Sequence, residues 1–447
     1  MTVSRLPPGS RSKFILLLSV LFYGFAISVS HRLYLSVEQA GWGFHAPSWD
    51  VYKVISMATM LALPTLAMPA RFDRASSVIL LLLFTLVFVP AIVINIENFE
   101  DGLGRYGALL SALSFGMMLI FLSVRIFGLQ SSESENLLPS PRVARIIFGV
   151  WLLCCVVLIV LYKDSMNFAG LSEVYDQREK GAATSLLVGY AQLYFAYVLS
   201  PFLLAYGLTK RKFFISMIAV AGFIIMYMIT AERTVFLLPV AIFGIYKIVR
   251  RRAYTINHVS VLVLGFSILT LLIALLWSSV GILDKLGFYF LTRLLAYPGV
   301  FVAQYYDLYS NLGYTYWSHV SGISSMVSAP SLIDYDRKWP MLGRILAERM
   351  FHVESNSNAS IFATDGAASL GPLGVIVISI LLSIWLIMLD RVSRKWDRRF
   401  VLPLFLPIAF ALVNVSFFTM LTSFGGLFWI LFLYSSRYTA GPARQTR

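Results

Sequence analysis

The stretch from residue 75 to residue 96, ASSVILLLLFTLVFVPAIVINI, decides the fold of this chain. It contains no charged side chain, and it is as long as a helix that crosses the hydrocarbon core of a bilayer, which takes about 20 residues. Apolar runs of this kind recur along the 447 residues, of which 58% are hydrophobic and 13% charged. A soluble domain carries about 25% charged residues. The sequence therefore predicts an all-α polytopic membrane protein, with a single integral membrane domain over residues 1–447.

About twelve apolar segments are long enough to be predicted as membrane spans. They lie at about 14–30, 51–69, 75–96, 106–127, 146–162, 185–208, 213–230, 235–249, 258–277, 370–389, 400–418 and 424–436. The longest stretch that is not predicted to span, residues 278–369, separates the ninth span from the tenth. A thirteenth span at about 286–303 would place Arg293 near the middle of the bilayer, which costs about 2.5–3.5 kcal/mol. We expect that segment to lie in the interface instead, as an amphipathic or re-entrant piece.

The distribution of charge predicts the orientation. Most of the 36 lysines and arginines fall in short segments that share one side of the membrane if the N-terminus is cytoplasmic. Few of the 22 acidic residues fall on that side, namely Asp73, Glu133, Glu135, Asp390 and Asp397. This bias follows the positive-inside rule. Both termini are therefore expected in the cytoplasm, and the 278–369 loop is expected on the opposite face.

The same pattern argues against several classes of protein. The formal net charge of +14 does not indicate a nucleic-acid partner, because most of the basic residues stand beside predicted spans. Cys154 and Cys155 are neighbours inside an apolar run, so they form no disulfide framework. The spans contain few ionisable residues, whereas a proton- or ion-coupled carrier places charges near the middle of the membrane.

Arginines on the loop side are the candidate ligands for an anion. The candidates are Arg178, Arg233, Arg293 and Arg349. Arg233 follows Glu232 between two apolar spans with almost no loop around them, and Arg293 is flanked by leucines and phenylalanines. A poorly solvated guanidinium needs an anion. That anion could be a carboxylate, such as Glu232 or Asp284, or it could be a phosphate, which the guanidinium contacts bidentately.

The second half of the long loop holds the candidate proton acceptors, His352 and Glu354. Either side chain can be tuned to accept a proton near neutral pH. The alternative is that His352 is a hydrogen-bonding surface residue. The aromatic run from Tyr305 to Trp317 could stack on sugar rings, and it could equally be an interfacial aromatic belt.

The stretch from Asn356 to Gly374, NSNASIFATDGAASLGPLG, closes the long loop and enters a span. It resembles the end of the large periplasmic loop in bacterial O-antigen or repeat-unit polymerases of the Wzy type, which are related to the O-antigen ligases. An arginine followed after ten residues by glycine, at 178–189 and 233–244, resembles a motif of that family's periplasmic loops. The ligases carry His-Asn where this chain has serine before Asn356 and Asn358. This difference favours a polymerase.

The resemblance implies glycosyl transfer on the periplasmic face of the bacterial inner membrane. The donor would be a glycan on undecaprenyl diphosphate, and the acceptor would be the terminal sugar of another lipid-linked unit. Arg178, Arg233, Arg293 and Arg349 would then bind the diphosphate, and His352 or Glu354 would accept the proton. Asn356, Asn358 and Tyr175 would orient the sugar. No cofactor and no metal are implied, and a flippase and a chain-length regulator are expected in the same membrane.

Two alternatives remain open. An O-antigen ligase would use the same chemistry to transfer glycan to a lipid A core. A flippase or transporter of lipid-linked sugars predicts charges in the middle of the membrane and no large outer loop, and both predictions conflict with the sequence.

Overall fold

The computed structural model describes residues 8–69, 74–128, 136–170, 174–182, 184–250, 256–279, 281–330, 341–437 and 441–442. Within these ranges the chain is a bundle of α-helices with one antiparallel pair of very short strands, β1 (Leu137–Leu138) and β2 (Gly441–Pro442). In the described part, nine helices are long and apolar enough to cross a membrane, or ten if one bent pair counts as a single span. The protein is therefore an all-α polytopic membrane protein, as predicted.

Seventeen helices are described. In chain order they are α1 (Arg11–Glu38), α2 (Val51–Ala67), α3 (Ala75–Glu97), α4 (Gly102–Phe127), α5 (Pro141–Tyr162), α6 (Val174–Lys180), α7 (Leu186–Thr209), α8 (Phe213–Thr230), α9 (Arg233–Arg250), α10 (Ile256–Leu276), α11 (Leu283–Leu312), α12 (Leu342–Leu346), α13 (Phe362–Ser393), α14 (Arg398–Leu404), α15 (Leu406–Asn414), α16 (Phe417–Ser423) and α17 (Gly426–Ser436). The predicted eleventh span, 400–418, corresponds to α14 and α15, and the predicted twelfth span, 424–436, corresponds to α17; α16 precedes α17 and forms the bent pair with it. The number of twelve crossings stays a prediction.

One end of the bundle, which we call the loop end, is defined by contacts among α1, α3 and α10. Trp277 Nε1 donates a hydrogen bond to the carbonyl of Leu33 (3.1 Å), just after α10 and near the end of α1. His31 Nδ1 lies 3.5 Å from Glu97 Oε2, the last residue of α3. These three helices therefore run parallel, and their C-terminal ends meet where the long loop begins.

The opposite end, which we call the basic end, joins the start of α3 to the end of α13. Ser76 Oγ donates to Asp390 Oδ2 (2.8 Å), and Ser76 N donates to Asp390 Oδ1 (3.0 Å). The basic turn 391–399 follows directly, and the carbonyl of Arg399 accepts from Thr209 Oγ1 at the end of α7 (3.2 Å). The charged turn that the sequence predicts on the inner side thus lies opposite the loop end.

Helix α11 occupies the segment that would form a thirteenth span. It is long and apolar enough to cross a membrane. Its contacts place both of its ends near the loop end. Near its start, Gly287 packs against the Tyr34 ring of α1. Near its finish, Asp307 Oδ2 pairs with Arg105 Nη2 (2.8 Å), one turn into α4. Helix α11 therefore begins and ends on the same side of the bundle.

Small residues set the closest helix contacts. A Cβ at Gly116 of α4 would lie 2.4 Å from Ser379 Oγ of α13, and a Cβ at Gly299 of α11 would lie 2.5 Å from the backbone nitrogen of Ala91 in α3. Small residues let helix backbones approach closely within membranes. Gly299 thus holds the middle of α11 against α3, and this contact fixes the aromatic face of α11 at the loop end.

Candidate functional site

The two-residue turn between α8 and α9 brings Arg233 to the loop end. Ala231 ends α8 in the left-handed conformation (φ 48°), and its amide donates to the carbonyl of Tyr227 (2.7 Å). The left-handed conformation is unfavourable for alanine, so the surrounding packing must hold it. The carbonyl of Glu232 accepts from Phe236 N (3.3 Å) at the start of α9. Glu232 and Arg233 are therefore presented together at the N-terminus of α9.

The Arg233 guanidinium packs on an aromatic ring of the long loop. Its Cζ lies 4.3 Å from the centre of the Tyr289 ring in α11, a cation–π geometry. Arg233 Nε is buried and has no hydrogen-bond partner within the described part of the chain. A buried donor without a partner costs free energy, most of all on a charged group. An anion is the natural partner for it.

Glu232 does not fill that role through a hydrogen bond to Arg233 Nε. Its Oε1 accepts a hydrogen bond from the Tyr197 hydroxyl of α7, and Tyr197 is itself held by an edge contact with Phe424 (4.6 Å). Burial raises the pKa of the Glu232 carboxyl above its ordinary value, against the Tyr197 hydrogen bond and the charge of Arg178, which lower it. The structure therefore does not favour the alternative that Glu232 and Arg233 are a simple surface pair.

Arg178 reaches the same turn from α6. The preceding residue, Gln177, is buried and donates from Nε2 to the carbonyls of Ser165 (2.8 Å) and Met228 (2.8 Å). These bonds tie α6 to the end of α8. Arg178 is exposed, and its charge acts on Glu232. Two of the predicted anion ligands, Arg178 and Arg233, are thus brought to one turn.

Arg293 and the segment of Arg349 are connected to each other through aromatic side chains. Arg293 lies in the same π-helical segment of α11 as Tyr289, and its Cζ is 5.7 Å from the centre of the Tyr297 ring. Tyr297 contacts Trp42 (5.8 Å), and Trp42 contacts Phe351 (5.1 Å). Arg349 stands two residues before Phe351 in a π-helical turn and is exposed. All four predicted arginines therefore lie at the loop end: Arg233 contacts α11, Arg293 belongs to it, Arg349 is linked to it through these rings, and Arg178 lies on α6, which contacts α8.

The predicted proton acceptors lie on an exposed turn after Arg349. His352 ends that helix in the left-handed conformation (φ 55°), and its amide donates to the carbonyl of Glu348 (3.2 Å). The side chains of His352 and Glu354 are both exposed. His352 thus has at least a backbone role as the residue that terminates the helix.

The predicted sugar-orienting residues have separate surroundings. Asn356 and Asn358 are exposed on the same stretch as His352, and Asn356 Nδ2 contacts Met341 Sδ (3.2 Å). The backbone of Tyr175 belongs to α6, beside Arg178, but its side chain lies outside the described residues. These assignments stay predictions.

A buried histidine–aspartate pair at the loop end is missing from the sequence-based site. His319 Nε2 lies 3.8 Å from Asp365 Oδ1, and His319 Nδ1 lies 3.0 Å from Thr315 Oγ1. Asp365 is fully buried, and its Oδ2 accepts from the amide of Phe417 (2.6 Å). The pair thus fastens the loop turn around residue 319 to the start of α13 and to α16. No local motif predicts it, because His319, Asp365 and Phe417 come from three separate parts of the chain.

The arrangement provides a cationic face with one unsatisfied buried donor, a neighbouring carboxyl and several aromatic rings. Such a face can bind an anionic group at the membrane boundary and can accept a proton beside it. Comparison with protein-family models, with curated proteins and with solved structures gives no match.

Proposed function

We propose that this chain polymerises lipid-linked oligosaccharide repeat units, by glycosyl transfer from an undecaprenyl-diphosphate-linked glycan to the terminal sugar of another unit. The product would be an O-antigen or a related surface polysaccharide. The observation that carries the proposal is Arg233, whose guanidinium packs on Tyr289 while its buried Nε lacks a hydrogen-bond partner in the described part of the chain. A diphosphate head group would supply the missing acceptor.

The proposed topology places this site on the periplasmic face of the bacterial inner membrane. We propose twelve crossings with both termini in the cytoplasm. Two features support this arrangement: α11 begins and ends at the loop end, and the basic turn 391–399 lies at the opposite end beside Asp390. Basic residues concentrate on the cytoplasmic side of membrane proteins.

The proposed reaction breaks the bond between the donor sugar and its diphosphate. Negative charge grows on the departing diphosphate, and fixed guanidinium groups stabilise that charge. Arg233 and Arg178 are the first candidates, and Arg293 and Arg349 would support them. The N-terminus of α9 adds amide donors that favour an anion at the same place. The donor already carries its leaving group, so neither a nucleotide sugar nor a cofactor enters the proposal.

The acceptor hydroxyl must lose a proton as it attacks the donor sugar. His352 and Glu354 stay predicted as acceptors of that proton. Tyr305 and Tyr309 of the predicted aromatic run are fully buried, so the partly exposed Tyr289 and Tyr306 of α11 are the candidates to hold sugar rings. A flippase that delivers the lipid-linked units and a regulator of chain length are proposed partners in the same membrane.

The test is a gel of surface glycans from a strain that lacks this chain, complemented with the wild type or with Arg233→Ala. Deletion should leave glycans with a single repeat unit, and the wild type should restore the ladder. Arg233→Ala should be present in the membrane at normal amount and give no ladder, because loss of one donor to a developing anion costs about 100- to 1,000-fold in rate. Arg32→Ala is the matched control, since Arg32 is an exposed cation at the loop end that packs on Trp49.

A normal ladder with Arg233→Ala would remove Arg233 from the site. Loss of all surface-linked glycan on deletion, with free polymer accumulating in the cell, would indicate the ligase instead. Unchanged glycans in the deletion strain would contradict both functions.

A further inference from the structure

Glu232 is the acidic residue nearest along the chain to Arg233, which is proposed to bind the diphosphate. Its surroundings are unusual for an acid at a membrane boundary. It directly precedes Arg233, at the end of the two-residue turn between α8 and α9, so the two side chains leave adjacent backbone positions. The turn is held by Ala231, which is fully buried. Motion of one group relative to the other is therefore restricted.

The orientation of the carboxyl is set from one side only. The Tyr197 hydroxyl donates to Oε1. Tyr197 is buried in the π-helical segment of α7 and packs against Phe424, so it cannot follow a moving carboxylate. Glu232 as a whole is only partly buried. The bond to Tyr197 uses Oε1, so Oε2 is the oxygen proposed to face the acceptor sugar.

We propose that Glu232 is the proton acceptor for the incoming sugar hydroxyl. This inference rests on the proposed function and replaces His352 and Glu354 in that single role. The acceptor O–H bond breaks and its proton moves to the Glu232 carboxylate. A bond forms between the acceptor oxygen and the anomeric carbon of the donor. The bond from that carbon to the diphosphate breaks, and its electron pair leaves with the diphosphate, which Arg233 and Arg178 hold.

The charges and the burial around the turn at 231–232 agree with a role for Glu232 as proton acceptor. A base works best when its pKa lies near the working pH. Burial raises the pKa of the Glu232 carboxyl, whereas His352 and Glu354 are exposed on a turn after Arg349. The charge of Arg178 and the Tyr197 hydroxyl act in the opposite sense and keep the ionised form accessible. The rate should therefore rise with pH as Glu232 loses its proton.

The experiment uses the full chain purified into lipid nanodiscs, with lipid-linked repeat units extracted from the deletion strain as substrate. Glu232→Gln keeps the size of the side chain and an oxygen that accepts from Tyr197, but it cannot take a proton. It should lower the turnover rate at least about 100-fold, within the range typical of a lost general base. Its residual rate should no longer rise with pH in the acidic range where the wild-type rate does. Glu232→Asp should recover part of the rate.

A binding measurement distinguishes a proton acceptor from a residue that only shapes the site. Glu232→Gln should bind undecaprenyl diphosphate at least as tightly as the wild type, because a negative charge beside the ligand is removed. Glu38→Gln, an exposed acid at the loop end, is the control and should leave rate and binding unchanged.

Two results would overturn the inference while leaving the proposed function intact. One is a wild-type-like rate and pH profile for Glu232→Gln in a chain whose wild type polymerises. The other is that Glu232→Gln and Arg233→Ala lose undecaprenyl diphosphate binding equally. A wild type that forms no polymer from the extracted units would instead contradict the proposed function.

Discussion

Arg233 and Tyr289 illustrate what a single contact contributes at the residue scale. The ring supports the guanidinium from one face, with Cζ 4.3 Å from the ring centre. Such a support orients the cation without neutralising it, unlike Arg105, whose charge is taken up by Asp307 through two hydrogen bonds (2.8 and 3.1 Å). Two arginines at the same end of the bundle therefore have opposite roles, one structural and one proposed to bind.

Replacement of Tyr289 tests that support. Tyr289→Ala should weaken the binding of undecaprenyl diphosphate by about 0.5–2 kcal/mol, the size of a cation–π contact, because Arg233 loses its fixed orientation. Tyr289→Phe keeps the ring and should bind nearly as the wild type does. The measurement is a ligand titration of the purified variants. Equal losses for both variants would mean that the phenol hydroxyl matters and the ring does not.

At this scale the sequence identifies candidates but not their partners. Arg178 and Arg233 are recognisable because they stand next to apolar spans, on the face where the sequence predicts few cations. Their environment depends on Tyr289 and Tyr197, which belong to other helices. Asp365 and His319 are missed for the same reason, because a contact between distant parts of the chain leaves no local pattern in the sequence.

At the element scale, helix α11 determines the site because it carries the aromatic face. Its position depends on Gly299, where a side chain would collide with the α3 backbone at Ala91. Its first part is π-helical over Gly287–Ala296, and π-helical insertions are frequent at functional sites. Small shifts of α11 would therefore move Tyr289 away from Arg233.

Gly299→Val should damage both stability and function. Its side chain would push α11 off α3, and overpacking of this kind costs about 1–3 kcal/mol. We expect a lower melting temperature for the purified chain and a shortened glycan ladder in cells. Gly265→Ala is the control, because a Cβ at Gly265 of α10 meets nothing within 4 Å. A Gly299→Val variant with wild-type stability and ladder would show that the contact is not needed.

Most helix boundaries follow from local chemistry, but the π-helical part of α11 does not. Helix α8 covers the predicted 213–230, because the basic residues 210–212 precede it and the polar turn at 232 follows it. Helix α5 starts earlier than the apolar run, since Ser140 Oγ accepts from Val143 N (3.3 Å) and caps it. The π-helical part of α11 has no sequence signal of its own. It arises from packing against α1 and α3, which a single sequence does not reveal.

At the scale of the whole molecule, the loop end and the basic end lie at opposite ends of the bundle, and this separation determines the proposed orientation in the membrane. Composition and the positive-inside rule predict that separation, because both depend only on counting charges along the chain. They do not predict which helices touch, so the meeting of α6, α8, α9 and α11 at one face had to come from the structure.

Cysteine labelling tests the topology. In a background with Cys154 and Cys155 replaced by alanine, Lys285→Cys and Asn311→Cys report the two ends of α11, and Arg394→Cys reports the basic end; all three positions are exposed. A membrane-impermeant maleimide added to the periplasmic side should label the first two and not the third. Labelling of only one end of α11 would show that this helix crosses the membrane and would reverse the orientation of every later span.

The central claim is that the loop end holds a diphosphate through Arg233, and the most direct measurement is a titration of the purified chain in nanodiscs with undecaprenyl diphosphate. We predict saturable binding by the wild type and by Arg32→Ala. Arg233→Ala should bind at least about tenfold more weakly, since a hydrogen bond to a charged group contributes about 1.5–3 kcal/mol. Equal binding by the wild type and Arg233→Ala, or no binding by the wild type, would contradict the account.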